Sequence, residues 1–266
     1  MNRHRLAASL VISAWIGLVA AAWSTSKAQS DSGPSTGGVT GTVTYHGKVP
    51  KAPFPDDLGI ERPLLSVNAK GESLQYAVVY LEPADESTKT VVNDVAPGDK
   101  PTSPNREGSE TAAAAPKVLV DQRDMTFVPH LIAVREGQTV RFANSDAANH
   151  NVRSAALDRR NQFNVITPLE GSYERAFFAD PKQRPIRLGC EIHAWMRAWI
   201  YVFDHPYFAV TDAKGRYAIA SAPPGNYVVK LRQPDVGLHA ERAITVAADQ
   251  PTSVDFRFTD EDLNLP

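Results

Sequence analysis

Cysteine occurs once in this chain of 266 residues, at position 190. A single thiol makes no internal disulfide. Cys190 is therefore a spare buried thiol, a nucleophile, an intermolecular bridge or a metal ligand. Basic runs and aromatic-basic stripes are missing, which argues against nucleic acid as a partner. There is no glycine-rich phosphate loop and no nucleophile elbow, so nucleotide-dependent and serine-hydrolase chemistry have no motif to rest on. No segment has a convincing helical period with caps. After the first two dozen residues no apolar run is long enough to cross a membrane.

The one long apolar run is Leu6–Trp23, preceded by Arg3 and Arg5 and followed by the small residues of Ser26-Lys27-Ala28. This is the pattern of an export signal over residues 1–28. The segment is either cleaved or kept as an anchor, so a membrane is a partner only in the second case. The expected location is periplasmic or otherwise extracytoplasmic. Three of the 28 basic residues (Arg3, Arg5, Lys27) lie in the segment, leaving 25 against 30 acids, a formal charge of −5. Outside the cytoplasm an unprotected thiol is open to oxidation, so the neighbours of Cys190 decide its role.

The remainder reads as all-β. Proline at 20 and glycine at 16 supply turns between short strands. Residues 29–37 form a Ser/Gly-rich linker. Val39–Tyr45 alternates, and Tyr76–Leu81 is a short apolar strand. Residues 84–116 are rich in small and polar types and are expected to form a long flexible loop. From Lys117 the strand pattern returns: Val118–Val120, Phe127–Val134, Thr139–Ala143, Tyr173–Phe178, Pro185–Leu188 and Ala198–Phe203. Phe208–Thr211 and Arg216–Ile219, joined by Asp212-Ala213-Lys214-Gly215, are expected to form a hairpin. Tyr227–Leu231, Arg242–Val246 and Ser253–Phe258 complete the strands.

The chemistry concentrates in Cys190-Glu191-Ile192-His193-Ala194-Trp195-Met196. Cys-x-x-His-x-x-Met places a thiolate, an imidazole and a thioether on one short loop between two strands. Soft thiolate, imidazole and a weak axial thioether make the ligand set of a type 1 copper site, which also needs a second histidine. His150, at the end of the Thr139–Ala143 strand in Ser145-Asp146-Ala147-Ala148-Asn149-His150-Asn151-Val152, is the candidate.

Met125–Phe203 resembles the cupredoxin (blue-copper) family. "FVPHLIAVREGQTVRFANSDAANHNV" is similar to the family's run from strand to Gly turn to strand to the His-Asn pair. "LGCEIHAWM" resembles its ligand loop, in the short amicyanin- or plastocyanin-like form. The resemblance implies a Greek-key β-sandwich holding one copper ion. His150, Cys190 and His193 would be its strong ligands and Met196 its axial one, with Asn151 tying the ligand loops together. It departs where many small cupredoxins have proline and this chain has Ala194 and Trp195. "HAWMRAWIYVFDHPYFAVTD" resembles exported bacterial methylamine-utilisation-like proteins that join a cupredoxin unit to a carboxypeptidase-regulatory-like (transthyretin-like) β module. Phe208–Leu231 resembles the later strands of that module, and Gly41-Thr42-Val43 with Tyr76–Leu81 its early ones.

The expected organisation is thus a cupredoxin domain at 117–205, flanked by 38–83 and 206–266 as two parts of a second small β-sandwich. Alternatively, 38–116 decorates the cupredoxin unit. The unit carries 12 basic and 10 acidic residues, so charge does not select a partner. His130 reads as a strand residue, His205 as a domain junction, and His46 and His239 as turn residues. Trp195 and Trp199 read as cover for the apolar end of the site. The functional expectation is single-electron transfer to an unidentified redox partner protein, with no enzymatic activity. The alternative is a copper-handling or surface- and carbohydrate-binding protein without redox turnover.

Overall fold

Two short stretches set the architecture through which faces they bury. Val78, Val79, Tyr80 and Leu81 are all buried, although a strand packed on one side buries only alternate residues. In Arg197–Phe203, Ile200 and Val202 enter one apolar core while Tyr201 and Phe203 enter another. Both strands are covered on two faces, and each is a near-continuous apolar run for that reason.

The structure, a computed structural model, describes residues 36–53, 61–68, 72–95 and 117–265. The expected signal at 1–28, most of the linker at 29–37, and residues 96–116 lie outside the described residues. Among the described residues the fold is all-β, with 54% strand and 7% helix. Among the described residues no helix is long and apolar enough to cross a membrane.

The strands form two sandwiches. In the first, Gly37–Tyr45 pairs with Arg216–Ala222 and, in parallel, with Pro251–Ser253 and Phe256–Phe258. The facing sheet runs Phe208–Val210, Val78–Pro83, Gly225–Gln233, Leu238–Val246. Val39, Val43 and Tyr217 of one sheet share a core with Val79, Tyr227 and Leu231 of the other. The second sandwich has the sheets Ser172–Ala176, Thr139–Asn144, Val118–Arg123, Thr126–Val128 and Phe163–Thr167, His150–Ala155, Ile186–Gly189, Arg197–Phe203, Leu131–Arg135. Val120, Phe142, Val152 and Leu188 meet in its core. A third cluster, formed by Val78, Tyr80, Leu131, Tyr201 and Phe203, joins one sheet of each sandwich.

Three expectations are corrected. Residues 84–116 do not begin as a loop: Glu86–Val95 is an α-helix. Asp85 Oδ1 accepts from the Thr88 N–H (2.8 Å), as helix-capping carboxylates do. Val92 and Thr88 are buried, Val92 in the first core. A helix of low apolar content is held here by tertiary contact, which its composition conceals. Second, Phe208–Val210 and Arg216–Ala222 are not a hairpin. The Asp212–Gly215 turn forms, with Gly215 N–H donating to Asp212 O and Gly215 at φ +70°. It passes the chain from one sheet to the other, so the two strands pair with different partners. Third, His239 lies within the Leu238–Val246 strand, not in a turn.

Candidate metal centre

The Thr139–Asn144 strand delivers the chain to one end of the second sandwich, where residues 145–149 form an ordered loop. Asn144 builds it from below. Its Nδ2 donates to the carbonyls of Ala148 and Thr167 (2.8 Å each) and its Oδ1 accepts from Asp146 N–H (3.0 Å). The next strand opens with His150, which is fully buried. Its Nε2 lies 2.9 Å from Asp146 Oδ2. A carboxylate accepts only, so this contact places the ring proton on Nε2 and leaves the Nδ1 lone pair free to face inward. Asp146 Oδ1 and Oδ2 also accept from the N–H groups of Asp124 (2.7 Å) and Met125 (3.0 Å). Partial burial pushes the Asp146 pKa up, but its bonds from Met125, His150 and Asp124 together hold it below the ordinary carboxylate value.

The Ile186–Gly189 and Arg197–Phe203 strands are antiparallel neighbours, and the Cys190–Met196 loop connects them. Two backbone bonds close it: Cys190 N–H to Met196 O (3.2 Å) and Met196 N–H to His193 O (2.9 Å). His193 is thereby held over the buried Cys190. His193 Nδ1 lies 2.9 Å from His150 Nδ1, and Cys190 Sγ lies 3.9 Å from the first histidine's Nδ1 and 3.7 Å from the second's. One donor atom from each of His150, Cys190 and His193 lies within 4.8 Å of the other two. Burial, and then the neighbouring His150, push the His193 pKa below that of an ordinary imidazole. His193 therefore favours the neutral form, which has a lone pair to donate.

Met196 is buried in the same apolar cluster as Cys190. The Trp195 ring lies 5.1 Å from the His193 ring and leans on it. A soft sulfur, two imidazole nitrogens and a nearby thioether fit a soft or borderline transition metal better than a hard cation.

Asn151 ties the two ligand-bearing segments together. Its Oδ1 accepts from Glu191 N–H (2.7 Å) and lies 3.3 Å from Cys190 Sγ. Its Nδ2 donates to Asn164 Oδ1 (2.6 Å), and Asn164 Nδ2 donates to Glu191 Oε2 (2.6 Å). Glu191 also pairs with Arg153 at 3.3 Å. The sequence reading missed Asp146, Asn164 and Glu191. The four-residue spacing from Asp146 to His150 was the only available signal for the first; Asn164 reaches the site only through strand pairing.

The other histidines stand apart from the triad. His130 sits in the bend between Thr126–Val128 and Leu131–Arg135, not within a strand, and its Nε2 is 2.8 Å from Asp235 Oδ2. The His205 ring packs between those of Phe203 (5.3 Å) and Tyr207 (5.8 Å). His46 contacts Thr44 Oγ1 at 3.2 Å.

Residues 197–259 match the family described as carboxypeptidase regulatory-like domain. No curated protein matches the chain. Among solved structures it is similar to the Cu(I) form of an amicyanin mutant, with 26% identity, 35% of this chain and 87% of that chain covered, and a TM-score of 0.30. It is similar also to an oxidized amicyanin mutant, at 25% identity over the same shares and again a TM-score of 0.30.

Proposed function

We propose that this chain is an exported type 1 copper protein that carries single electrons between redox partners. His150, Cys190 and His193 would be its strong ligands and Met196 its weak axial ligand. The observation that carries this reading is the convergence of two imidazole nitrogens on one buried cysteine sulfur, with donor atoms all within 4.8 Å. Copper, when bound, supplies the Cu(II)/Cu(I) couple. The protein's part is to hold the donors still. Asp146 fixes the His150 ring, the two backbone bonds fix the loop, and Asn151 locks one ligand segment to the other. Ligands held in this way rearrange little when an electron arrives or leaves.

His193 is only partly buried, and Ile192 beside it is exposed. Ile166, opposite Asn151 in the strand register, and Leu169 are exposed as well. Exposed apolar side chains about a site favour a docking partner, and a redox protein that meets this end comes close to the His193 ring. No enzymatic step is assigned. Export follows from the N-terminal reading, and the carrier would act outside the cytoplasm.

The test is to add Cu(II) to the purified protein and record visible absorption and electron spin resonance. An intense blue band with narrow copper hyperfine splitting, abolished in Cys190→Ala, is expected. A colourless protein that takes up no stoichiometric copper would overturn the carrier reading and leave a binding role for the two sandwiches.

A further inference from the structure

The outer face of the second sandwich gathers positive charge beside the candidate metal centre. Val152, Ile186, Leu188, Ala198 and Ile200 point into the core. Side chains alternate along a strand, so Arg153, Arg187 and Arg197 share the opposite face of the sheet. Register brings them together. Arg153 lies opposite Gly189, Gly189 lies opposite Arg197, and Arg187 stands two residues before Gly189 on the central strand. Gly189 brings no side chain, so the row from Arg153 to Arg197 is open in the middle. A groove of about 320 Å3 runs there, lined by Arg153, Arg187 and Gly189 and by Cys190, Ala194 and Met196.

Summed over residues 117–205 the charge is nearly balanced, at 12 basic and 10 acidic residues. The fold separates it. Glu191, the acid in the groove wall, is already held by Arg153 (3.3 Å) and by Asn164 Nδ2 (2.6 Å). Arg187 is exposed, and neither it nor Arg197 makes a side-chain ion pair or hydrogen bond among the described residues. The face is left positive on a chain whose formal net charge is −2. An arginine fork also holds a carboxylate at two points, which a lysine does not. The exposed apolar side chains of this end continue the same face: Asn164 pairs with Arg153 in register, and Ile166 follows two residues on.

We propose that this arginine face steers and seats an acidic redox protein, one that presents carboxylates around its own electron-exchange site; this partner class presupposes the carrier role. Arg153, Arg187 and Arg197 receive the carboxylates, and Ile166 and Ile192 supply apolar contact. The rest of the chain repels an acidic partner, so charge selects the orientation in which the partner meets the metal loop.

Two measurements test this. Fluorescently labelled octaglutamate is titrated into the metal-free protein and followed by anisotropy. Saturable binding that weakens with added salt is expected. Arg187→Glu should weaken it about fivefold, the upper range for an exposed charge pair, and Arg187→Gln should lie between that variant and wild type. Arg257→Glu makes the same charge change at an exposed position of the first sandwich and should leave binding unaltered. Equal melting temperatures separate these effects from misfolding. In the copper-loaded protein, hexacyanoferrate(II) passes one electron from its iron(II) to copper(II), and stopped flow follows the bleaching of the blue band. That rate should fall with salt and in Arg187→Glu. Octaglutamate binding that is absent, indifferent to Arg187→Glu or lost equally in Arg257→Glu overturns the proposal, as does a reduction rate indifferent to both salt and Arg187→Glu. Tighter binding of phosphatidylglycerol vesicles, lost in Arg187→Glu, would overturn it in favour of a lipid surface. A protein that binds octaglutamate but forms no blue band overturns the carrier role, whereas a blue protein whose octaglutamate binding ignores Arg187→Glu overturns the arginine face alone.

Discussion

Asn151 and Asp146 show how much of the candidate centre rests on residues that donate nothing to a metal. The Asn151 side chain is buried and bridges the His150 strand, Asn164 and the Glu191 N–H. Truncating it removes its bonds to Asn164 Oδ1 and the Glu191 N–H, each worth about 0.5–1.5 kcal/mol. Asn151→Ala should lower the denaturation midpoint by a matching amount, whereas an unchanged midpoint would mean that the tie carries no energy. Asp146 orients the His150 ring. Loss of such an outer partner typically costs about 10- to 100-fold in metal affinity. Asp146→Ala is expected to lose copper to a competing chelator within that range, with the fold retained in circular dichroism. Equal retention in both proteins would show that the loop alone positions the imidazole. The Cys, His and Met of the loop and the distant His150 were legible in the sequence because the chemistry lies in residue type and spacing. Asp146 was in view but silent, since only the fold decides which of its neighbours a carboxylate faces.

At the scale of strands, close approach and burial on two faces decide more than propensity. A Cβ on Gly41 would lie 1.9 Å from the carbonyl oxygen of Val254 and 2.9 Å from the Tyr217 ring. The first contact is with backbone and cannot be relieved by a rotamer change. Tyr217 Oη donates to that same Val254 oxygen at 2.6 Å, which fixes the segment further. Gly41→Ala therefore pushes the Pro251–Ser253 and Phe256–Phe258 segment off the central strand. Overpacking of this kind costs about 1–3 kcal/mol, and thermal unfolding should register it. A melting temperature equal to wild type would show that this edge yields. The strands at Val39–Tyr45 and Ala198–Phe203 were readable from alternation and β-branched content. The Glu86–Val95 helix was not, because its apolar content is low and its contacts lie in the Gly225–Gln233 strand: Thr88 Oγ1 accepts from Asn226 N–H at 3.0 Å.

For the whole molecule the seam is decisive. The third core cluster takes Val78 and Tyr80 from the first sandwich and Leu131, Tyr201 and Phe203 from the second. Phe203→Ala should cost about 3–5 kcal/mol. It should also lower the stability of both sandwiches together, read as one calorimetric transition in wild type and variant alike; two separate transitions in wild type would contradict a shared core. Asp235 adds a pH signature. Burial pushes its pKa up, but the bond and charge of His130, with the Trp199 and Gln233 bonds, outweigh this and hold it below the ordinary carboxylate value. A carboxylate depressed in the folded state stabilises above its unfolded pKa of about 3.9 and loses that contribution as pH falls through its folded pKa. Asp235→Asn should thus be less stable than wild type from pH 5 to 7, with the gap closing below about pH 4. Denaturant unfolding across that range checks it, and a gap independent of pH would remove the ionised carboxylate from the account.

Residue order alone was enough for the all-β character and for the composition of the candidate metal loop. Alternation, turn residues and ligand spacing are local properties, written in neighbouring positions. It took the folded arrangement to make the Asp212–Gly215 turn change sheets, to bring Asp146 and Asn164 to the candidate centre, and to set Asp235 against His130 and Trp199. Those relations join residues far apart in the chain, and they exist only once apolar burial on both faces of Val78–Leu81 and Ile200–Phe203 has stacked one sandwich on the other.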